Sequence, residues 1–123
     1  FHKDDPTIDP GVLIEILNKY VKSGMVKHIG ASNWTAERIK EANKYAKNHG
    51  LAKFEFSEIA FSLKDRVTKG WGEKELIHEM NLEDYKYYSE SGIPVIGFGA
   101  QAYGFFYGDS VPTDSSEKNK DTI

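Results

Sequence analysis

Polar and aromatic side chains follow the ends of four predicted strands of this sequence. They are His2 after Phe1, Ser32-Asn33-Trp34 after residues 29–31, Ser57-Glu58 after residues 54–56, and Gly99-Ala100-Gln101 after Phe98. Serine and asparagine side chains together offer hydrogen-bond donors and acceptors, which a carboxamide needs, and an aromatic side chain nearby can stack on a flat heterocycle. These residue types are compatible with a site for an amide-bearing ring.

Each of these groups also has a simpler structural interpretation. Asn33 and Thr35 are residue types that commonly cap the N-terminus of a helix, so capping alone would explain them about as well as binding. A histidine close to a chain end, such as His2, is more often solvated than catalytic. Glu58 could be a solvated loop glutamate, and Phe98 in an apolar run is by default a core residue. Residue types alone leave both interpretations open.

Alternating helices and strands must position these groups. Asp9 and Pro10 begin a predicted helix with apolar residues at 3.6-residue spacing, which ends at Gly24. Further helices are predicted from Thr35 to about Asn48 and from residue 81 to 92. Short strands are predicted at residues 25–31, 53–56 and 94–98, the first and the last of them buried. An extra helical turn or two is predicted within residues 73–80.

This alternation predicts a parallel α/β fold, with the sheet either covered by helices on both faces or wrapped as a barrel. In such folds the carboxyl ends of the strands line one face, where binding residues lie. The four polar groups are therefore expected on that face. The end of the chain, residues 107–123, is polar and lacks apolar periodicity, which predicts a loop or a disordered tail.

Composition narrows the class of function. The chain has 123 residues, a formal net charge of −3 and no cysteine. Basic residues are interspersed with acidic ones, which argues against nucleic acid and membrane surfaces as partners, and no apolar run approaches the roughly 20 residues of a membrane helix. The absence of cysteine excludes disulfides and fits a reducing cytoplasm. We predict one globular unit whose partner is a small molecule or a protein, and we predict no metal site. We also expect the given sequence to start within a longer reading frame.

Four stretches resemble successive strand ends of the aldo-keto reductase family. They are residues 1–6, residues 29–34, Phe61-Ser62-Leu63 with Arg66, and residues 93–98. The resemblance lies in their order and spacing. It implies that residues 1–106 are part of a (β/α)8 TIM barrel, roughly strands 4 to 7 with their helices.

The resemblance also implies a reaction and two kinds of ligand. Members of the family reduce an aldehyde or ketone to an alcohol with NADP(H), and NAD(H) is the alternative cofactor. His2 matches the histidine that orients and polarises the substrate carbonyl, to whose oxygen a neutral imidazole N–H would donate. Ser32 and Asn33 match the pair that hydrogen-bonds the nicotinamide carboxamide.

Further cofactor contacts are implied at the last predicted strand. Phe98 falls where the family places an aromatic residue, usually tyrosine, against the nicotinamide ring. Gly99 and Gln101 lie in the following loop, which runs beside the pyrophosphate.

Glu58 departs from the family pattern, because it occupies the position of a glutamine that binds the carboxamide. An ionised carboxylate only accepts hydrogen bonds, so it could bind the carboxamide NH2 group but could not donate to its oxygen. We expect Glu58 to weaken or reorient cofactor binding, and its negative charge to favour the oxidised, positively charged nicotinamide.

The second departure is the absence of the general acid. The family uses a tyrosine aided by a lysine and an aspartate, all on earlier barrel strands that this chain does not contain. The resemblance therefore implies a segment of an oxidoreductase that is inactive by itself. The alternative is a non-catalytic half-barrel module that assembles with a complementary half or binds a nucleotide without chemistry.

Overall fold

The computed structural model describes residues 1–63, 77–102 and 106. Helices and strands alternate along it: α1 (Pro10–Lys22), β1 (Ile29–Ser32), α2 (Ala36–Asn48), β2 (Phe54–Ala60), α3 (Leu82–Ser91) and β3 (Val95–Phe98). The strands form a parallel sheet in the order β1-β2-β3. The prediction of a parallel α/β fold is confirmed. Within the described ranges no helix combines the length and the apolar character needed to cross a membrane.

The helices begin where their capping residues predict. The Asp9 carboxylate accepts the N–H of Gly11 at 2.7 Å, and the Thr35 hydroxyl accepts the N–H of Arg38 at 3.2 Å. Asn81 forms a reciprocal capping box with the residue at the third helical position, and Gly92 ends α3 in a left-handed conformation with φ 67°.

The strand bounds differ from the predicted ones. β1 starts at Ile29 rather than at residue 25, because the N–H groups of Met25 and Val26 both bind the carbonyl of Tyr20 and extend the end of α1. β2 continues to Ala60 rather than ending at residue 56, because its second half pairs with β3.

The extra helical turn predicted within residues 73–80 falls partly outside the described residues. Its described part is extended rather than helical, since Glu79 bridges to Ala60 and the Met80 N–H binds the Ala60 carbonyl at 2.9 Å. The predicted tail, residues 107–123, and Arg66 also lie outside the described residues.

The core lies on one face of the sheet, where all three helices pack. Trp34 and Phe54 are fully buried there, with ring centroids 5.1 Å apart, and Tyr88 of α3 belongs to the same cluster. The other face, which we call the open face, carries Ser32, Glu58 and Ile96. β3 was predicted to be buried, and this is wrong for the chain as described: Ile96 is 52% exposed because no described element covers it. One layer of helices on one sheet face is the arrangement of a barrel wall rather than of a doubly wound sheet.

The free edge of β1 is occupied by the first residue. The Phe1 nitrogen donates to the Gly30 carbonyl at 2.5 Å, and the Ser32 N–H donates to the Phe1 carbonyl at 2.8 Å. Two such bonds to residues on either side of Ala31 are the pattern of a parallel ladder. Phe1 thus lies where the end of a fourth strand would pair. The three named strands form an open sheet, and their numbering within a barrel stays a prediction.

Candidate functional site

Ser32, Glu58 and Ile96 lie side by side on three neighbouring strands. Ser32 pairs with Glu58, and Glu58 pairs with Ile96. The preceding residue, Ser57, points to the helices, where its hydroxyl accepts a hydrogen bond from Tyr88 at 2.9 Å. Because successive side chains of a strand alternate between faces, Glu58 must point to the open face.

The interpretation of Glu58 as a loop glutamate is therefore wrong. β2 continues for two residues beyond it, through pairs of Ile59 with Gly97 and of Ala60 with Phe98. Glu58 nevertheless lies level with Ser32, the last residue of β1, and its side chain is exposed. Glu58 also acts on the Phe1 amino group at the edge of the sheet. Burial lowers the pKa of this amino group, and the negative charge of the Glu58 carboxylate acts in the opposite direction and raises it.

Asn33 is not the cap of α2, since Thr35 has that role. Asn33 instead adopts a left-handed backbone conformation with φ 59° directly after β1. Its N–H donates to the Glu58 carbonyl at 3.0 Å, which fixes the turn against β2. Left-handed backbone costs about 1–2 kcal/mol for most residues and less for asparagine, and such strain is concentrated at functional sites.

The side chain of Asn33 is buried but only partly satisfied. Its NH2 group donates to the His2 carbonyl at 3.0 Å and to the Ser32 hydroxyl at 3.2 Å. A carbonyl can only accept, so this assigns the amide orientation. The Asn33 Oδ1 atom is buried and has no hydrogen-bond partner among the described residues. Buried polar atoms are nearly always paired, so an unpaired acceptor here indicates a missing donor.

Ser32 complements this acceptor. Its hydroxyl oxygen already accepts from Asn33, so its proton is available to a further acceptor. A primary carboxamide carries both an NH2 donor and a carbonyl acceptor. The pair Asn33 Oδ1 and Ser32 O–H can therefore satisfy both ends of that group. This fit rests on the orphaned acceptor and is independent of the spacing of the residues in the sequence.

His2 lies at the edge of the same region. Its carbonyl is held by Asn33, and its side chain is exposed. The segment after it is clamped by Arg38, whose guanidinium binds both carboxylate oxygens of Asp4 at 2.9 Å and stands 5.3 Å from the ring centre of Trp34. The sequence reasoning missed Arg38, because no local pattern relates it to residues more than thirty positions earlier.

Four of the predicted site residues line one or the other of two open clefts. The first, of about 390 Å³, brings together His2, Ser32 and Glu58, with Phe1 and Phe56 among its other walls. The second, of about 430 Å³, is lined by Leu63, Ala100, Gln101 and Phe106. The structure thus brings three predicted residues to one cleft and Gln101 to another.

Asn33, Phe98 and Gly99 line neither cleft. Phe98 ends β3 as a half-buried residue, and Gly99 follows with φ 68°. Among the described residues no group of histidine and carboxylate side chains could hold a metal ion.

A parallel sheet with helices on one face and polar side chains at its carboxyl end is the arrangement of a (β/α) barrel enzyme. The model of the aldo/keto reductase family matches residues 1–122, and the chain belongs to this family. The resemblance seen in the sequence is thereby confirmed. This family has the TIM-barrel fold. Membership of the family places the chain among oxidoreductases. A comparison with curated proteins gave no match.

Proposed function

We propose that this chain forms part of the nicotinamide site of an NAD(P)H-dependent reductase that converts an aldehyde or ketone to an alcohol. The observation that carries the proposal is the buried, unpaired Oδ1 atom of Asn33 beside the Ser32 hydroxyl. The two residues would bind the nicotinamide carboxamide and so fix which face of the ring is presented. The cofactor, when bound there, would supply the hydride.

His2 would act on the substrate. His2 lines the same cleft as Ser32 and Glu58, and an imidazole N–H there would donate to a carbonyl oxygen as negative charge develops on it. Phe98 would contact the nicotinamide ring, and Gly99 and Gln101 would lie beside the pyrophosphate. Glu58 stands next to Ser32 and would accept from the carboxamide NH2 without donating to its oxygen.

The general acid would come from another part of the barrel. Among the described tyrosines, Tyr20, Tyr45, Tyr85, Tyr87 and Tyr88 lie on helices. Tyr88 is bound to Ser57 within the core, on the face opposite to Glu58. Tyr103 and Tyr107 lie outside the described residues. We therefore propose that the tyrosine, lysine and aspartate of the family belong to earlier strands, and that this chain alone does not turn over substrate.

The test uses the complete protein encoded by the reading frame that contains this chain. We expect it to consume NADPH in the presence of a panel of aldehydes and ketones, and NADH should be compared under the same conditions. The Ser32→Ala and Asn33→Ala variants should raise the KM for the cofactor. A folded protein that oxidises neither cofactor with any carbonyl of the panel would contradict the proposal.

A further inference from the structure

Asp84 connects the N-termini of two helices. It is the third residue of α3, and its side chain is 3% exposed. One carboxylate oxygen, Oδ1, accepts the N–H of Ala36, the first residue of α2, at 2.8 Å. The other, Oδ2, accepts the N–H of Asn81 at 3.1 Å and contacts Nε2 of His78 at 2.6 Å.

Capping of α3 uses only half of this carboxylate. The capping box is complete with two bonds: the Asn81 N–H donates to Oδ2, and the Asp84 N–H donates to the side-chain oxygen of Asn81. The Oδ1 atom binds α2, which already has its own cap in Thr35. Oδ1 therefore serves a contact between elements 48 residues apart in the sequence. Its negative charge also faces the positive ends of both helix dipoles, which stabilises the ionised form.

Ala36 is close along the chain to the candidate carboxamide site. Only Trp34 and Thr35 separate it from Asn33, and Trp34 is fully buried. The left-handed turn at Asn33 is thus held from both sides: its own N–H binds the Glu58 carbonyl, and the Ala36 N–H binds Asp84. Neither anchor is a residue of the turn itself.

We propose that Asp84 is a positioning residue for Ser32 and Asn33, holding the turn between β1 and α2 in the geometry that binds a carboxamide. The inference rests on the proposed function. His78 supports the same contact, because it reaches Asp84 from the extended segment in which Met80 binds the end of β2. Asp84 acts through this turn and touches no ligand.

The test compares three variants of the full chain. Asp84→Ala removes all three side-chain contacts, those with Ala36, Asn81 and His78. Asp84→Asn keeps one side-chain oxygen, which can still accept from Ala36. Asn81→Ala is the matched control, because it removes the side-chain cap of the same helix end while leaving the Asp84 to Ala36 contact in place. Unfolding midpoints of all three are measured first, and binding is compared at a temperature at which each is folded.

Two readouts are taken on isotope-labelled protein: the backbone amide signals of residues 32–36, and titration with nicotinamide mononucleotide in its reduced form, which carries the carboxamide without the adenosine half. We expect Asp84→Ala to shift these amides and to weaken binding by about tenfold. Asn81→Ala should remain within about twofold of the unsubstituted chain, and Asp84→Asn should recover part of the affinity.

The proposal is overturned if Asn81→Ala weakens binding as much as Asp84→Ala, or if Asp84→Ala leaves the amides of Ser32 and Asn33 unchanged. The proposed function has a separate outcome. If the unsubstituted chain and the complete protein both fail to bind the nucleotide, the carboxamide role is wrong. The amide signals then still decide whether Asp84 holds the turn.

Discussion

Ser32 and Glu58 are directly paired across two parallel strands, with both side chains on the face that the helices leave open. A hydroxyl that can donate thus adjoins a carboxylate that can only accept. In the proposed site, Glu58 takes the position that the sequence resemblance assigns to a glutamine, and its carboxylate would lie beside any group bound by Ser32.

Replacing Glu58 by glutamine should change the preference between the two redox forms of the cofactor. In the proposed site, the amide would donate to the carboxamide oxygen and would remove a negative charge that favours the oxidised ring. We expect the complete protein carrying Glu58→Gln to bind the reduced form about fivefold more tightly, the effect of one hydrogen bond. Affinity for the oxidised form should stay level or fall.

Dissociation constants for both forms, obtained by calorimetry or fluorescence, provide the measurement. Glu55→Gln is the matched control, since Glu55 is an exposed carboxylate on the same strand that binds His28 instead of facing Ser32. Unchanged affinity for both redox forms in Glu58→Gln would exclude a role for this residue in the site.

A pair of substitutions at Asn33 separates its backbone from its side chain. The φ of 59° is accessible to glycine without strain, whereas alanine is disfavoured there. We expect Asn33→Ala to lower the free energy of unfolding by about 1 kcal/mol more than Asn33→Gly does. Both variants lack the orphaned Oδ1 acceptor, so both should lose cofactor affinity.

Chemical denaturation gives the stability difference, and titration with the nucleotide gives the affinity. If Asn33→Gly binds the cofactor as tightly as the unsubstituted protein, Asn33 serves only the turn. The carboxamide assignment would then be wrong for this residue.

We expect that lysine at position 38 cannot reproduce the contacts of the Arg38 guanidinium. The guanidinium binds both oxygens of Asp4 and the carbonyl of Ile8, and it stacks over Trp34. A lysine ammonium lacks the planar fork needed for these contacts. Because the pair is largely shielded, with side-chain exposures of 17% and 13%, we expect Arg38→Lys to cost about 1–2 kcal/mol and Arg38→Ala more.

Thermal or urea unfolding measures this effect, with the exposed Lys40→Ala on the same helix as the control. The ring signals of His2 should also move in the Arg38 variants, because Asp4 follows His2 by two residues. An Arg38→Lys variant as stable as the unsubstituted chain would show that the clamp contributes nothing measurable.

The helices could be predicted from residues close together in the sequence. The features that could not be predicted depend on contacts between residues far apart in the sequence. Asp9, Thr35 and Asn81 cap their helices through bonds to residues two or three positions away. The extent of β2 depends instead on pairing with β3, which no pattern within residues 54–60 encodes. The residue types of the site were visible in the sequence, whereas the contact between Asp84 and Ala36 spans 48 positions and required the structure.

Low pH should reduce the free energy of unfolding, because the Asp84 carboxylate becomes protonated. Burial alone would raise the pKa of this carboxyl, but hydrogen bonds from His78, Ala36 and Asn81 outweigh it and hold the pKa below its ordinary value of 3.8. The unfolded chain therefore takes up the proton at a higher pH than the folded one does. The resulting stabilisation is fully present above pH 3.8 and is lost as the pH falls through the lower pKa of the folded state.

The Asp84→Asn variant lacks this titration. We expect the unsubstituted chain to differ from Asp84→Asn in unfolding free energy at about pH 5, where the Asp84 carboxyl is ionised in both the folded and the unfolded chain. This difference should then shrink as the pH falls below 3.8. Glu83→Gln is the control, since Glu83 is the adjacent acid of α3 and is exposed. A difference that stays constant through the acid range would mean that the ionised Asp84 carboxylate gains nothing from its buried contacts, and that neutral hydrogen bonding alone joins α3 to α2.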